Sequence, residues 1–203
     1  MPHSSDPSFI ETIRILEGVP CHLPYHTSRL NATLRAIGSS LPHIDLADII
    51  RPQPSGHGVQ KCRVVYDRNG ITDITCHPYT MRPVASLRLV TDDEARYTLK
   101  STDRSVLTHA FDRRGDCDDI IIVRHGLLTD TSIANIALHD GDRWYTPASP
   151  LLPGTTRARL IDEGTLSPRD ITASELDRYT AITLFNAMIA PFCITLPRAA
   201  IVG

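Results

Sequence analysis

The chain has 203 residues, 41% of them hydrophobic and 22% charged, with a formal net charge of −2. That length suits one large domain or two small lobes sharing a core, and the balance describes an ordinary water-soluble globular protein. The arginines are scattered, with no basic run and little aromatic interleaving, so nothing asks for a nucleic-acid partner.

The first residues, Met1 to Ser8, are polar and lack the basic-then-apolar shape of a signal peptide. Phe9 to Leu16 reads as a strand that ends at a Glu17-Gly18 turn. From His26 to Gly38, Leu30, Leu34 and Ile37 fall on one face at helical spacing, with Gly38 as the stop. Arg29 lies in the first turn of that helix beside His26, either as a surface charge or as an anion ligand on a rigid element. Ser39 to Gln60 is rich in Pro, Ser, His and Gly and reads as a connector. Cys62 to Tyr66 and Ile71 to Tyr79 flank Asp67-Arg68-Asn69-Gly70, a hairpin signal, because Asn-Gly suits the positive φ angles of tight turns. Ser86 to Val90 gives one more strand, and Thr91 to Ala95 is a polar connector, which sets the expected lobes at residues 1–92 and 93–203.

Next comes Tyr97-Thr98-Leu99-Lys100-Ser101-Thr102-Asp103-Arg104. Only Lys61 and Lys100 are lysines among the twenty-one Lys and Arg residues. Arginine stays protonated, whereas a lysine amine can lose its proton and form a Schiff base. Lys100 is therefore either an ordinary solvated lysine or a nucleophile. Asp103 can cap a helix carrying Val106, Leu107, Ala110 and Phe111, closed near Gly115. Asp116, Asp118 and Asp119 around Cys117 read as a solvated turn rather than a metal site. Strand-like segments follow at Asp119 to Arg124, Leu127 to Asp130, Ile133 to Leu138 and Trp144 to Thr146, with turns at His125-Gly126 and Asp140-Gly141. Gly154-Thr155-Thr156 opens a short helix and is a plausible anion cradle, though not a Walker loop. Thr183 to Ile189 is apolar and strand-like, with Asn186 set into it. The apolar stretch Ala181 to Leu196 is interrupted by Asn186 and Pro191 and is too short to cross a bilayer.

The five cysteines (Cys21, Cys62, Cys76, Cys117 and Cys193) are odd in number, widely spaced and form no Cys-x-x-Cys. They argue for a reducing compartment, the cytoplasm, and against a disulfide framework or a zinc site. No Gly-x-Ser-x-Gly elbow anchors a hydrolase triad. His22 and His26 lack the intervening glutamate of a metalloprotease helix, so no metal site is expected. Lys100, the anion-binding candidates Arg29 and Gly154-Thr155-Thr156, and the strand-end acid Asp130 together suggest a pyridoxal-phosphate enzyme. The aldehyde needs an amine, the phosphate needs N–H, hydroxyl and guanidinium donors, and the pyridine nitrogen needs a carboxylate.

Seven motifs in order carry a resemblance over Phe9 to Leu196. They are Phe9-x-Glu11-Thr-Ile-Arg14, His26-x-x-Arg29-Leu30, Lys100-x-x-Asp103-Arg104, Gly126 to Asn135, Tyr145-Thr-Pro147, Leu151 to Arg157, and Asn186-Ala-Met188. In these the chain resembles the class-IV aminotransferases, the fold-type-IV pyridoxal-phosphate enzymes that include branched-chain and D-amino-acid aminotransferases and aminodeoxychorismate lyase. The resemblance implies an α+β fold with a small N-terminal lobe and a larger, β-rich C-terminal lobe. It implies Lys100 as the Schiff-base lysine that shuttles a proton at the substrate Cα. Arg29, Thr155 and Thr156 would bind the phosphate, and Asp130 would meet the pyridine nitrogen. Asn135 would brace the turn beside the ring, Asn186 would lie in the second phosphate-side turn, and Arg104 would lie near the ring hydroxyl.

The chain departs from the family at Asp130, where glutamate is usual, and at Ala187, where a hydroxyl is frequent. It also begins almost at the first strand, without the usual preceding segment. A homodimer that completes the site is implied, acting on a small amino acid and keto acid. Transamination is the favoured chemistry, elimination of pyruvate from aminodeoxychorismate the alternative, and a non-catalytic cofactor-binding role a third.

Overall fold

The structure, a computed structural model, describes residues 7–52 and 57–203. Most of the N-terminal segment read for a signal peptide, and residues 53–56 of the expected connector, lie outside the described residues. The chain divides into two compact units. One runs through Thr80 and takes back Leu99–Asp103; the other comprises Met81–Thr98 and Arg104–Gly203. The division falls at Thr80 rather than at residue 92, and the Lys100 segment belongs to the first unit.

Among its described residues the first unit has an antiparallel sheet and two helices. Its strands are β1 (Phe9–Leu16), β2 (Val19–Pro20), β3 (Val59–Asp67) and β4 (Gly70–Pro78), in the order β2-β1-β3-β4. In β1 the side chains alternate strictly: Phe9, Glu11, Ile13 and Ile15 point into the core. This is the period-two pattern of a strand with one covered face. Helix α1 (Leu23–Ala36) covers that face with Leu30 and Leu34, and α2 (Leu46–Ile49) adds Leu46. Each fully buried aliphatic side chain of this kind contributes about 1.5–3 kcal/mol.

Helix α1 begins three residues before His26, because Pro24 falls in the first turn, where its fixed φ is compatible with the helix. It ends as expected, with Gly38 left-handed at φ 70. The hairpin joins Asp67 to Gly70, but its two central residues, Arg68 and Asn69, do not take positive φ. Asp67 Oδ1 accepts the Asn69 N–H at 2.7 Å and braces the turn, and the positive φ falls to Gly70. Both central residues are left-handed at His125-Gly126, with φ 51 and 78.

The Lys100 segment pairs with the start of β1. The Ile10 N–H donates to the Lys100 carbonyl at 2.9 Å, the Thr102 N–H donates to the Ser8 carbonyl at 2.9 Å, and Ser101 bridges Phe9 antiparallel.

The second unit has two sheets. In one, β5 (Leu87–Thr91), β6 (Asp119–Arg124), β7 (Leu127–Leu128) and the terminal β13 (Ile201–Val202) run in the order β13-β5-β6-β7. In the other, β8 (Asn135–His139), β9 (Trp144–Pro147), β10 (Ser167–Arg169), β11 (Ala181–Phe185) and β12 (Ile194–Pro197) run in the order β10-β9-β8-β11-β12. Helices α3 (Ser105–Asp112) and α4 (Thr155–Asp162) and short 3-10 turns at Ala173–Arg178 and Arg198–Ala200 complete it. A core of Ile121, Val123, Ile136, Leu138, Ile182 and Leu184 joins both sheets. The α+β class is as expected. No helix among the described residues is long and apolar enough to cross a membrane.

Three expectations in this unit change. Arg104, not Asp103, is the residue before α3, and it makes no side-chain cap. Strand β11 stops at Phe185 because the Asn186 side chain accepts the N–H groups of Met188 and Ile189, both at 2.8 Å, and turns the chain. Asp119 is not solvated: it is fully buried at the start of β6, where Oδ1 accepts from the N–H groups of Ile120 and Ser132.

Candidate active site

Within the first unit a buried ion cluster sits under Arg29. His26 and Arg29 lie three residues apart on α1, so both face the same way, toward Glu11 on β1. Arg29 donates from Nε to Glu11 Oε1 at 2.8 Å and from Nη2 to Oε2 at 2.6 Å, a two-pronged fork. His26 Nδ1 lies 2.6 Å from Oε2. Glu11 is fully buried and its side chain has no exposure, while that of Arg29 keeps 15%. Burial pushes the Glu11 carboxyl up, but Arg29 and His26 outweigh it and hold it down at about 2. An ionised carboxylate only accepts, so His26 Nδ1 carries the proton in this contact.

Lys100 belongs to the same unit and is half-buried, its backbone carbonyl tied to β1. The other candidates all belong to the second unit. Asp130 and Asn135 face each other across a tight loop as an isolated antiparallel bridge. Thr131 shapes that loop by accepting the Ile133 and Ala134 N–H groups on Oγ1. Asp130 is buried, and each of its oxygens has a neutral donor. Asn135 Nδ2 donates to Oδ1 at 2.7 Å, and the Leu152 N–H donates to Oδ2 at 2.8 Å. Burial pushes the Asp130 carboxyl up to about 6, against the lowering effect of those two donors and of the Arg157 guanidinium acting through space.

Asn135 also donates to the Leu152 carbonyl at 2.9 Å, and its Oδ1 lies against Gly154. A Cβ at Gly154 would come within 1.9 Å of that oxygen. Gly154 has φ −72 and ψ 146, which any residue can adopt, so the glycine serves space and not backbone freedom. It stands immediately before α4. No side chain caps that helix, its first turn holds no acid, and Thr155 and Thr156 are buried there. The helix start therefore presents N–H groups, hydroxyls and the positive end of the helix dipole.

Asn186 donates from Nδ2 to the Ile133 carbonyl at 2.9 Å, which ties its turn to the Asp130 loop. Arg104 donates from Nη2 to the Ser132 carbonyl at 2.7 Å and reaches the same loop. Asp130, Asn135, Arg104 and Asn186 are thus gathered on one loop of the second unit, and Arg29 on Glu11 in the first. Sequence reasoning assigned no role to Glu11 or His26. The signal was present in β1, where the inward alternation Phe9, Ile13, Ile15 places a glutamate at a position that calls for an apolar side chain.

The sequence pattern of the amino-transferase class IV family matches residues 8–193. An uncharacterized protein of Haemophilus influenzae is 33% identical over 181 residues, covering 88% of this chain and 96% of that protein. A crystal structure from Haemophilus somnus, of a protein provisionally named a 4-amino-4-deoxychorismate lyase, is 31% identical. It superposes with a TM-score of 0.82 over 91% of this chain and 97% of that one. A fold IV-transaminase from Curtobacterium pusillum shares the fold at 20% identity, with a TM-score of 0.71 over 96% and 79% of the two chains. A match over this much of its length makes the chain a member of the amino-transferase class IV family, whose members are pyridoxal-phosphate-dependent aminotransferases or lyases.

Proposed function

We propose that the chain holds pyridoxal phosphate on Lys100 and acts as an aminotransferase on a small amino acid and keto acid pair. The observation that carries this reading is Asp130, a buried carboxylate hydrogen-bonded by neutral donors, among them Asn135 and Leu152. Above about pH 6 it is ionised, and a buried anion of this kind is matched to a ligand that brings its own cation. A protonated pyridine nitrogen is such a cation. The uncapped, acid-free start of α4, with two threonine hydroxyls, suits a phosphate equally well.

When bound, the cofactor supplies an electron sink for negative charge developing at the substrate Cα. Lys100 would provide the amine that holds it and would move the proton at the substrate Cα. Arg29, the first amides of α4 and the Thr155 and Thr156 hydroxyls bind the phosphate. Asp130 keeps the ring nitrogen protonated, and Asn135 fixes the carboxylate in place. Asn186 supports the phosphate-side turn, and Arg104 orients the loop beside the ring hydroxyl. Assembly as a homodimer in the cytoplasm completes the reading. Five free thiols are in keeping with a reducing compartment, and light scattering measures the dimer.

The second reading is elimination of pyruvate from aminodeoxychorismate, favoured by the name given to the 31% identical Haemophilus somnus protein. Both chemistries begin with loss of the Cα proton to Lys100. The first experiment is the absorption spectrum of the purified protein with pyridoxal phosphate, beside Lys100→Ala. We expect a borohydride-trappable adduct on Lys100 that the variant lacks, together with loss of all turnover in the variant. A folded protein that forms no adduct at Lys100 overturns the enzyme reading. Amino-group transfer from glutamate to a keto acid, measured against pyruvate release from aminodeoxychorismate, then separates the two chemistries.

A further inference from the structure

Glu11 is a poor choice for the fold. Its neighbours on the inward face of β1 are Phe9, Ile13 and Ile15, and an apolar residue there would extend the same core. Replacing a buried ion cluster by well-packed apolar side chains is often neutral or stabilising, so the charge is weakly explained by stability. The geometry explains it better. A guanidinium on a long side chain has many orientations, and the two-pronged contact from Nε and Nη2 to Glu11 fixes both its position and its plane. The carboxylate is fixed in turn: Oε2 accepts from His26 Nδ1 as well as from Arg29, and the strand carrying it is paired along its whole length to β3.

We propose that Glu11 and His26 are positioning residues for phosphate recognition. Glu11 holds the Arg29 guanidinium in one plane, ready to meet an organic phosphate, and His26 holds Glu11. This rests on the reading of Arg29 as a phosphate ligand. It predicts an effect confined to the phosphate group of the ligand, which a purely structural role would not produce.

The test compares binding of pyridoxal phosphate with binding of pyridoxal, which lacks the phosphate, in the full chain and in Glu11→Gln, His26→Gln and Arg29→Gln. Adduct formation on Lys100 is followed by absorbance, and folding by circular dichroism. Glu11→Gln is expected to weaken pyridoxal phosphate binding about 10- to 100-fold, the range for a misplaced charge-assisted hydrogen bond, and to leave pyridoxal binding within about twofold. His26→Gln is expected to act in the same direction and more weakly.

If Arg29→Gln weakens pyridoxal phosphate binding but Glu11→Gln and His26→Gln do not, the positioning role is overturned and Arg29 keeps its own. If Arg29→Gln binds pyridoxal phosphate normally, the reading of Arg29 falls and the positioning role falls with it. Equal weakening toward both ligands in Glu11→Gln makes the cluster merely structural and also overturns the proposal. Should Glu11→Gln fail to fold, His26→Gln decides by the same comparison.

Discussion

Glu11 and Asp130 are both buried carboxylates, and burial pushes each of them up, yet they end on opposite sides of their ordinary values. Glu11 stands at about 2 because a guanidinium and an imidazole contact it directly. Asp130 stands at about 6 because its contacts are an amide side chain and a backbone N–H, with Arg157 acting only through space. The partner, not the depth, decides the charge state. On the proposed reading, a carboxylate that already has its cation orients it, and one held by neutral donors suits a cation that a ligand brings.

Of the two carboxylates, Asp130 is expected to give the larger effect when its charge is removed. Asp130→Asn is expected to lower turnover roughly 1,000-fold, the scale of losing a preorganised electrostatic contact at developing charge, while the Lys100 adduct still forms. Turnover within a few-fold of the native protein would break the contrast between Glu11 and Asp130, because Asp130 would then have no cation to serve.

The pH dependence of stability is expected to carry two opposed contributions of about 3 kcal/mol each. Glu11 has a lowered value, so its contribution is complete above about 4.5 and is lost as pH falls toward about 2. Asp130 has a raised value, so the folded chain binds the extra proton between about 3.8 and about 6, and stability falls as pH rises through that window. Urea unfolding of the cofactor-free protein from pH 3 to 8 measures both. Glu11→Gln should remove the acid limb and Asp130→Asn the opposite one, and identical profiles in the two variants would refute the assignment.

A smaller effect is expected from Gly154→Ala, about 1–3 kcal/mol of stability, the cost of forcing a methyl group into a filled space. Because the methyl group displaces Asn135, the same variant should also disturb the cofactor's absorption through Asp130. A change in stability with an unaltered spectrum would separate Asn135 from Asp130.

Much of this was legible in the chain. Strand β1 was readable from Phe9 to Leu16 because one covered face imposes a period of two, and the stop of α1 was readable because Gly38 accepts a left-handed backbone. The candidate residues were named from motif order. Turn chemistry was less so. Asn69-Gly70 looked like the left-handed hairpin, yet an Asp67 side chain selected another turn, and His125-Gly126 adopted the left-handed one. Such choices turn on a single hydrogen bond, which composition does not reveal.

The sequence by itself determined the α+β class and the family membership that its motifs announce, and it named Lys100 as the candidate amine. Only the tertiary structure decided what the charges do. It set Glu11 under Arg29, buried Asp119 that looked solvated, and closed Asn135 over Gly154 to grip Asp130. The reason is physical: strand and helix periods are local and repeat along the chain. The energy of a buried charge depends instead on groups tens of residues away, such as the Leu152 amide that meets Asp130, and these come together only when the chain folds.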